Sequence, residues 1–363
     1  MKLTIFGLTL SSSWGNGHAT PYRALLRGLH RQGHHCVFYE KDVEYYFWRR
    51  DFTSCEYCDL VLYSEWEAVR RRALADAAES EVVIVASYCP QGARIADEVL
   101  ALPGPLHVFY DLDTPVTLEK LQNGGVEYLI GEQIPAYDLY LSFTGGAILR
   151  ELADEWGAKR ARPLYGCVDP EVYKRVPAKE QFECRLSYMG THSEDRRHKL
   201  EELFLGPARR LRQDKFVLAG SLYPPEWSWP ANVARFDHVA PAEHPALYSS
   251  SRATLNITRD GMARTGYCPS GRFFEAAACG TPILSDWWEG LEEFFGPDEI
   301  AVVRDEEEVV GALNSGEGEL MRRAERARER TLDEHSGERR ARQLIGYVEK
   351  ALNRKWQDSM EVA

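Results

Sequence analysis

The chain has 363 residues, of which 44% are hydrophobic and 28% charged. That length exceeds what one hydrophobic core sustains, so two domains are expected. The formal charge of −12 excludes the broad basic field of a nucleic-acid or anionic-membrane binder, while leaving room for a few basic groups around a single nucleotide.

In chain order, Lys2 to Leu10 read as a first strand over residues 3–10. A first strand is expected here rather than a secretory leader, because the apolar run is short and no small-residue cleavage site follows it. Thr20 as N-cap and Pro21 in the first turn predict a helix whose Tyr22, Leu25, Leu26 and Leu29 form one apolar face, ended by Gly33. Strands are predicted at Cys36 to Tyr39 and over 82–87, 106–110 and 138–142, with helices between them. Breaks at Asp169-Pro170 and Val176-Pro177 mark a linker. A second series of strands follows over about 185–190, 215–219, 233–237, 252–257, 282–285 and 300–303, and then basic-acidic helices over about 317–353. Continuous apolar strands separated by helices imply parallel sheets covered on both faces. The expected fold class is therefore α/β, with two doubly wound Rossmann-like domains facing across a cleft. The boundaries are 1–168, a linker over 169–180, a second domain over 181–342, and a helix over 343–363 that ends in a disordered tail from Gln357 to Ala363. No stretch reaches the ~18 apolar residues of a membrane-spanning helix.

In such a fold ligands meet the carboxyl ends of the strands. The first loop there, Gly15-Asn16-Gly17-His18-Ala19-Thr20-Pro21, carries two glycines that let the backbone turn tightly and a histidine that titrates near neutral pH. Asp111-Leu112-Asp113 follows the predicted strand Leu106 to Tyr110 and offers two carboxylates, Asp111 first and Asp113 second, to orient that histidine. Three other readings of these residues stand beside this one: His18 or an aspartate as a helix cap, and the Asp-x-Asp pair as a metal site. Further on, Gly190 and Thr191 end a strand with Arg196, Arg197 and Lys199 close by, and Arg259 ends another. The run from Pro269 to Leu284 reads as a loop, a small-residue helix and a buried strand. Ser270 and Gly271 stand at the helix start, where free amides and the helix dipole suit a diphosphate. Arg272 is three residues before Glu275, close enough to pair with it or to reach the phosphate, and Glu275 is placed to accept hydrogen bonds from a ribose diol.

The stretch from Pro269 to Leu284 resembles the donor-binding signature of GT-B glycosyltransferases, in particular the spore-maturation CgeB-like family. Leu255 to Arg259, Gly266 to Ser270, Trp288 to Leu291 and Leu164 to Pro170 are similar to other segments of that family. The resemblance covers about residues 160–340 and implies a first domain for the acceptor, a second for a nucleotide-sugar donor, and a last helix over 343–363 that crosses back to the first domain. The Gly17-His18-x-x-Pro21 stretch is similar to the start of inverting small-molecule glycosyltransferases, in which this histidine is the general base; on that reading the rate falls through one ionisation near ~6.5. Related retaining enzymes carry a second glutamate eight residues before the one at Glu275, but here that position is Tyr267, which favours inversion.

The resulting expectation is a cytoplasmic, metal-independent, single-displacement enzyme, without a cofactor, that moves a sugar from a nucleotide diphosphate sugar such as a UDP-sugar to an acceptor hydroxyl. Alternatives are a nucleotide-sugar 2-epimerase or hydrolase on the same fold, and a non-catalytic sugar-binding assembly protein. The acceptor is a small molecule, a glycan or a protein, and no nucleic acid is expected. Tyr45-Tyr46-Phe47-Trp48 reads either as packing or as the lining of an acceptor groove. Eight cysteines, at 36, 55, 58, 89, 167, 184, 268 and 279, suit buried thiols in a reducing compartment; Cys55-Glu56-Tyr57-Cys58 alone has a metal-like or redox-like spacing.

Overall fold

A computed structural model describes residues 1–362, and the side chains of all of these except Glu317 and residues 356–362. The chain divides into two compact units. One comprises Met1–Trp14, His18–Tyr165 and Gly337–Ala363, and the other Gly15–Gly17 and Gly166–Ser336.

The first unit is built on a seven-stranded sheet. Its strands are β1 (Lys2–Phe6), β2 (His35–Lys41), β3 (Asp59–Tyr63), β4 (Val82–Ala86), β5 (Leu106–Asp111), β6 (Leu139–Ser142) and β7 (Ala161–Pro163). They lie in the order β3-β2-β1-β4-β5-β6-β7 and every pairing is parallel. Residues of β4 are apolar and buried throughout, as a strand covered on both faces must be. On one face Phe6, Val37, Tyr39, Val83, Val85 and Phe109 pack with Trp66, Val69 and Ala73 of the helix Trp66–Ala78 and with Ile95 and Val99 of the helix Gly92–Leu100. The predicted apolar face of the first helix is buried, but the helix spans Ala19–Arg31 and His18, not Thr20, holds the N-cap position. Proline tolerates any place in the first turn, because its missing N–H is unpaired there anyway, so Pro21 does not mark the helix start to the residue. The first strand is shorter than predicted, ending at Phe6. Strands β3 and β7 were outside the sequence expectation; both are edge strands, β3 exposed or half-exposed up to its last residue and β7 of three residues.

The helix Gly337–Val362 belongs to this unit and packs along Ala19–Arg31. A Cβ at Gly28 would lie 2.3 Å from the Gly337 carbonyl oxygen, and one at Gly337 would lie 2.2 Å from that of Ala24. Lys355 at its far end donates to the Pro105 carbonyl at 2.7 Å and to Asp138 at 2.9 Å. The tail expected from Gln357 to Ala363 falls outside the described side chains. Among the described residues no helix is long and apolar enough to cross a membrane.

The second unit carries β8 (Leu186–Met189), β9 (Phe216–Ala219), β10 (Val233–Phe236), β11 (Thr254–Asn256), β12 (Ile283–Ser285) and β13 (Ala301–Val302), ordered β10-β9-β8-β11-β12-β13 and again all parallel. Leu186, Leu218, Leu255 and Leu284 face one core with Leu203, Phe204 and Val309, while Val217 and Ala219 face another with Phe182, Val239 and Leu247. Each of these strands falls within or beside a predicted one. The fold is thus two doubly wound parallel α/β domains.

Candidate active site

Strand order reverses between β1 and β4 in the first unit, which opens a crevice at their carboxyl ends. The segment after β1 begins under the control of Glu40, a buried carboxylate at the end of β2. It accepts hydrogen bonds from the Thr9 hydroxyl at 2.7 Å, the Leu10 amide at 2.6 Å, and both the amide (3.0 Å) and the hydroxyl of Ser11. Gly15 lies in the left-handed region at φ 61°, whereas the Cβ direction of Gly17 is open.

His18 ends that segment at the N-cap position, and its side chain makes no capping bond. The imidazole instead stacks on Tyr88, which follows β4, with ring centroids 5.0 Å apart and planes at 29°. Burial pushes the imidazole pKa down to about 4. The Tyr88 hydroxyl donates to Asp113 Oδ2 at 2.8 Å, and burial together with that carboxylate keeps the phenol protonated. Tyr88 has φ 64°, a left-handed conformation that costs a bulky residue about 1–2 kcal/mol and is held here by the packing of its ring between His18 and Tyr128.

The two aspartates have different surroundings. Asp111, fully buried, accepts the Tyr140 hydroxyl at 2.6 Å, the Thr117 hydroxyl at 2.8 Å and the Asp113 amide at 3.2 Å, and burial raises its pKa to about 6. Asp113 sits at the N-cap of the helix Thr114–Asn123, makes no side-chain cap bond, and holds the tyrosine that stacks on His18. The geometry therefore links the second-choice aspartate to the histidine, through Tyr88, and gives the first-choice aspartate a structural set of partners.

The aromatic strip lies on the surface, with Trp48 82% exposed. It is tied to the β1 segment, since Ser12 donates to the Arg49 carbonyl at 2.7 Å and the Arg49 guanidinium lies 4.3 Å from the Trp14 ring centre.

In the second unit the reversal falls between β8 and β11. The Gly190 amide, just past β8, bonds Ala219 O at 2.8 Å, and the chain past β9 approaches so closely that a Cβ at Gly220 would lie 2.0 Å from Gly190 O. Arg272 reaches this point from the helix Gly271–Ala278. Its Nη1 lies 3.1 Å from where a Cβ on Gly190 would be, and its guanidinium stands 5.5 Å over the Tyr188 ring. Arg196 bonds the Thr191 carbonyl, and burial together with the neighbouring charge of Arg272 holds its pKa below the ordinary value. Arg272 Nη1, Arg196 Nε and His192 Nε2 are buried and have no hydrogen-bond partner among the described residues. Two adjacent cations with unpaired buried donors form a site for an anion.

Ser270 stands at the N-cap position without a side-chain cap bond, and the Cβ direction of Gly271 is open. Tyr267, at φ 48°, donates its amide to the Glu289 carbonyl at 2.7 Å, and its ring fills the space a Cβ on Gly290 would need. Glu275 is buried: its carboxylate is 3.8 Å from His244 Nδ1 and lies beside the hydroxyls of Tyr173 and Tyr248. Arg259 Nε bonds Asp195 at 3.2 Å, and Lys199 is held by Asp286 at 3.0 Å and Asp260 at 3.2 Å, so both cations already serve carboxylates. The structure thus gathers Gly190, Thr191, Arg196 and Arg272, and engages Arg259 elsewhere. Tyr88, Tyr173, His244 and Tyr248 escaped sequence reasoning. Only Tyr88 carried a signal, its place just past a predicted strand.

Residues 196–346 match the family described as glycosyl transferase-like. No curated protein sequence matches the chain. Among solved structures, the chain is similar to sucrose-phosphate synthase from Thermosynechococcus elongatus, with a TM-score of 0.66, 12% identity, and coverage of 97% of this chain and 99% of that one. It is also similar to Anabaena HepE in complex with UDP and glucose, with a TM-score of 0.65, 11% identity, and coverage of 96% and 100%. An alpha-glucosyltransferase in complex with UDP gives a TM-score of 0.65 at 13% identity, covering 96% and 99%. The architecture is the GT-B glycosyltransferase fold, and the family match runs through most of the second unit into the start of Gly337–Val362.

Proposed function

We propose that this protein is an inverting glycosyltransferase that takes a sugar from a nucleotide diphosphate sugar, with UDP as the first nucleotide to test, and passes it to an acceptor hydroxyl. On this reading it is related to the spore-maturation CgeB-like proteins. One observation carries the proposal: at the strand-order reversal of a glycosyl transferase-like domain, Arg196 and Arg272 present buried, unpaired donors beside the open N-terminus of Gly271–Ala278. A diphosphate supplies the anion that pairs with two adjacent half-buried cations, and its negative charge grows as the sugar–phosphate bond breaks. Preorganised guanidinium groups and helix amides stabilise that charge without a metal ion. The neighbours of this fold that hold UDP favour the same ligand class.

In the first unit, His18 takes the acceptor proton as the hydroxyl attacks the anomeric carbon. Tyr88 orients the imidazole by stacking, and Asp113 fixes Tyr88. Glu275, one turn into the phosphate helix, accepts from the ribose diol. The exposed strip with Trp48 offers a flat apolar face to the acceptor.

The test is to incubate the protein separately with UDP-, GDP- and dTDP-sugars, with and without EDTA, following thermal shift and release of nucleoside diphosphate. A transferase gives slow donor hydrolysis that an acceptor accelerates, and EDTA leaves it unchanged. Rapid sugar isomerisation or acceptor-independent turnover points to the epimerase or hydrolase, and binding without turnover to a non-catalytic protein. Arg272→Ala should weaken nucleoside diphosphate binding by about 1.5–3 kcal/mol, the range for a charge-assisted hydrogen bond. Unchanged affinity by calorimetry in a folded Arg272→Ala protein would remove the proposal's support.

A further inference from the structure

Away from the candidate site, the segment leading into β3 brings two thiols into contact. Cys58 Sγ donates to Cys55 Sγ at 3.0 Å, about 1 Å longer than a disulfide bond. Cys58 is buried and Cys55 is half-buried, so one sulfur is reachable from solvent and the other waits behind it. We propose that Cys55 and Cys58 are a redox-modification site, a dithiol that a peroxide oxidises to a disulfide and a thiol reductant restores.

The surroundings separate the roles of the two sulfurs. The hydrogen bond from Cys58, the amides of Tyr57 and Cys58, and the nearby Arg27 guanidinium hold the Cys55 thiol down to about 7. The contact with Cys55, burial, and the charges of Cys36 and Asp59 push Cys58 up. Cys36 behind them is fully buried and pushed up to about 12, as is Cys89, while Cys184, the other half-buried cysteine, is pushed up to about 11. Nucleophilic attack needs thiolate and access together, and Cys55 has both.

The Cys55 thiolate attacks one peroxide oxygen; the S–O bond forms, the O–O bond breaks, and the departing hydroxide leaves as water with a proton from solvent. Cys58 sulfur then attacks the Cys55 sulfenic acid, forming the S–S bond and breaking S–O, while the Cys58 proton leaves with the hydroxyl as a second water. Two thiols and one peroxide become one disulfide and two waters, the sulfur pair losing the two electrons that the peroxide gains. The site is coupled to the segment that ends in His18: Asp51, four residues before Cys55, bonds Ser13 and Arg23, while Arg27 stands 4.9 Å from the centre of the Tyr57 ring.

The experiment uses the full chain, fully reduced and then treated with a slight excess of hydrogen peroxide. The tryptic peptide from Asp51 to Arg70 should become lighter by two hydrogens and stop reacting with iodoacetamide, and dithiothreitol should restore both properties. Cys58→Ser should trap the sulfenic acid, so that dimedone labels Cys55, whereas Cys55→Ser should abolish labelling in this peptide. Cys55 and Cys58 both remaining alkylatable after peroxide would overturn the proposal, and so would a disulfide from either of them to Cys36, or zinc held at one ion per chain by the pair. Should a serine variant fail to fold, as judged by circular dichroism, the wild-type peptide masses decide the question alone.

Discussion

At the scale of single residues, burial changes what His18 predicts for pH dependence. A histidine at its ordinary value would lose base function below about pH 6.5, but the imidazole here stays neutral down to about 4. The transfer rate should therefore hold through pH 5 and fall near 4. His18→Ala should cost about 10²- to 10⁴-fold in rate, with nucleotide affinity unchanged. Pre-steady-state transfer across pH would check both statements. Stability gives a second reading of the same pair of sites. The unfolded chain protonates His18 at about 6.5 and the fold resists until about 4, so His18 contributes stability at neutral pH that is lost as pH falls between those values. Asp111 acts in reverse: the fold keeps its proton up to about 6 while the unfolded carboxyl releases it near 3.8, so its contribution is lost as pH rises through 6. In the wild type the two slopes oppose each other. Denaturant titrations should show His18→Gln losing about 2 kcal/mol from pH 4 to pH 6.5, and Asp111→Asn gaining about as much or somewhat less, because His18 is only partly covered.

At the scale of elements, the helix Gly271–Ala278 and the strands around it separate a demand for packing from the ligand access that the proposed function requires. Gly220→Ala drives a methyl group into the Gly190 carbonyl, a backbone atom that cannot step aside, so a loss of about 1–3 kcal/mol in stability is expected. Gly271→Ala meets nothing within 4 Å. It should keep or slightly raise the melting temperature, because alanine is the better helix former by up to about 1 kcal/mol. The same methyl group at the helix start should nevertheless weaken nucleoside diphosphate binding, measurably by calorimetry. Equal effects of the two substitutions on stability would contradict this division. The motif pair at Gly266 to Ser270 and Trp288 to Leu291 also acquires a physical reason at this scale: Gly290 leaves room for the Tyr267 ring, and Gly266 leaves room for the Glu289 carbonyl.

At the scale of the whole molecule, the chain starts and ends in the same unit. The first helix buries a face against Gly337–Val362, where Gly28 and Gly337 allow backbone contact. Ending the chain at Ser336 would uncover that face, so the shortened protein should lose cooperative thermal unfolding of the first unit. Gly28→Leu, which clashes at 2.3 Å with a carbonyl, should do so in milder form. Scanning calorimetry that found the first unit melting normally in both would show that the returning helix is dispensable.

The alternation of apolar strands and helices, the short helix Gly271–Ala278 before a buried strand, and the position of His18 after the first strand were legible in the chain. They depend on local periodicity, on glycine and proline, and on which end of a strand a loop follows. Element ends and the edge strands β3 and β7 were less legible, since half-exposed short strands carry a weak alternating pattern. What only the tertiary structure decided is which groups meet. Tyr88 comes between His18 and Asp113, Asp111 is taken up by Tyr140 and Thr117, Arg259 by Asp195, and Glu275 is enclosed by Tyr173, His244 and Tyr248. All of these partners except Thr117 lie tens of residues apart in sequence and are brought together by strand order and by the desolvation that accompanies packing. Local pattern therefore fixes which elements form and in what order, while long-range packing sets each ionisable group's partner and with it the proton affinity on which its chemistry depends.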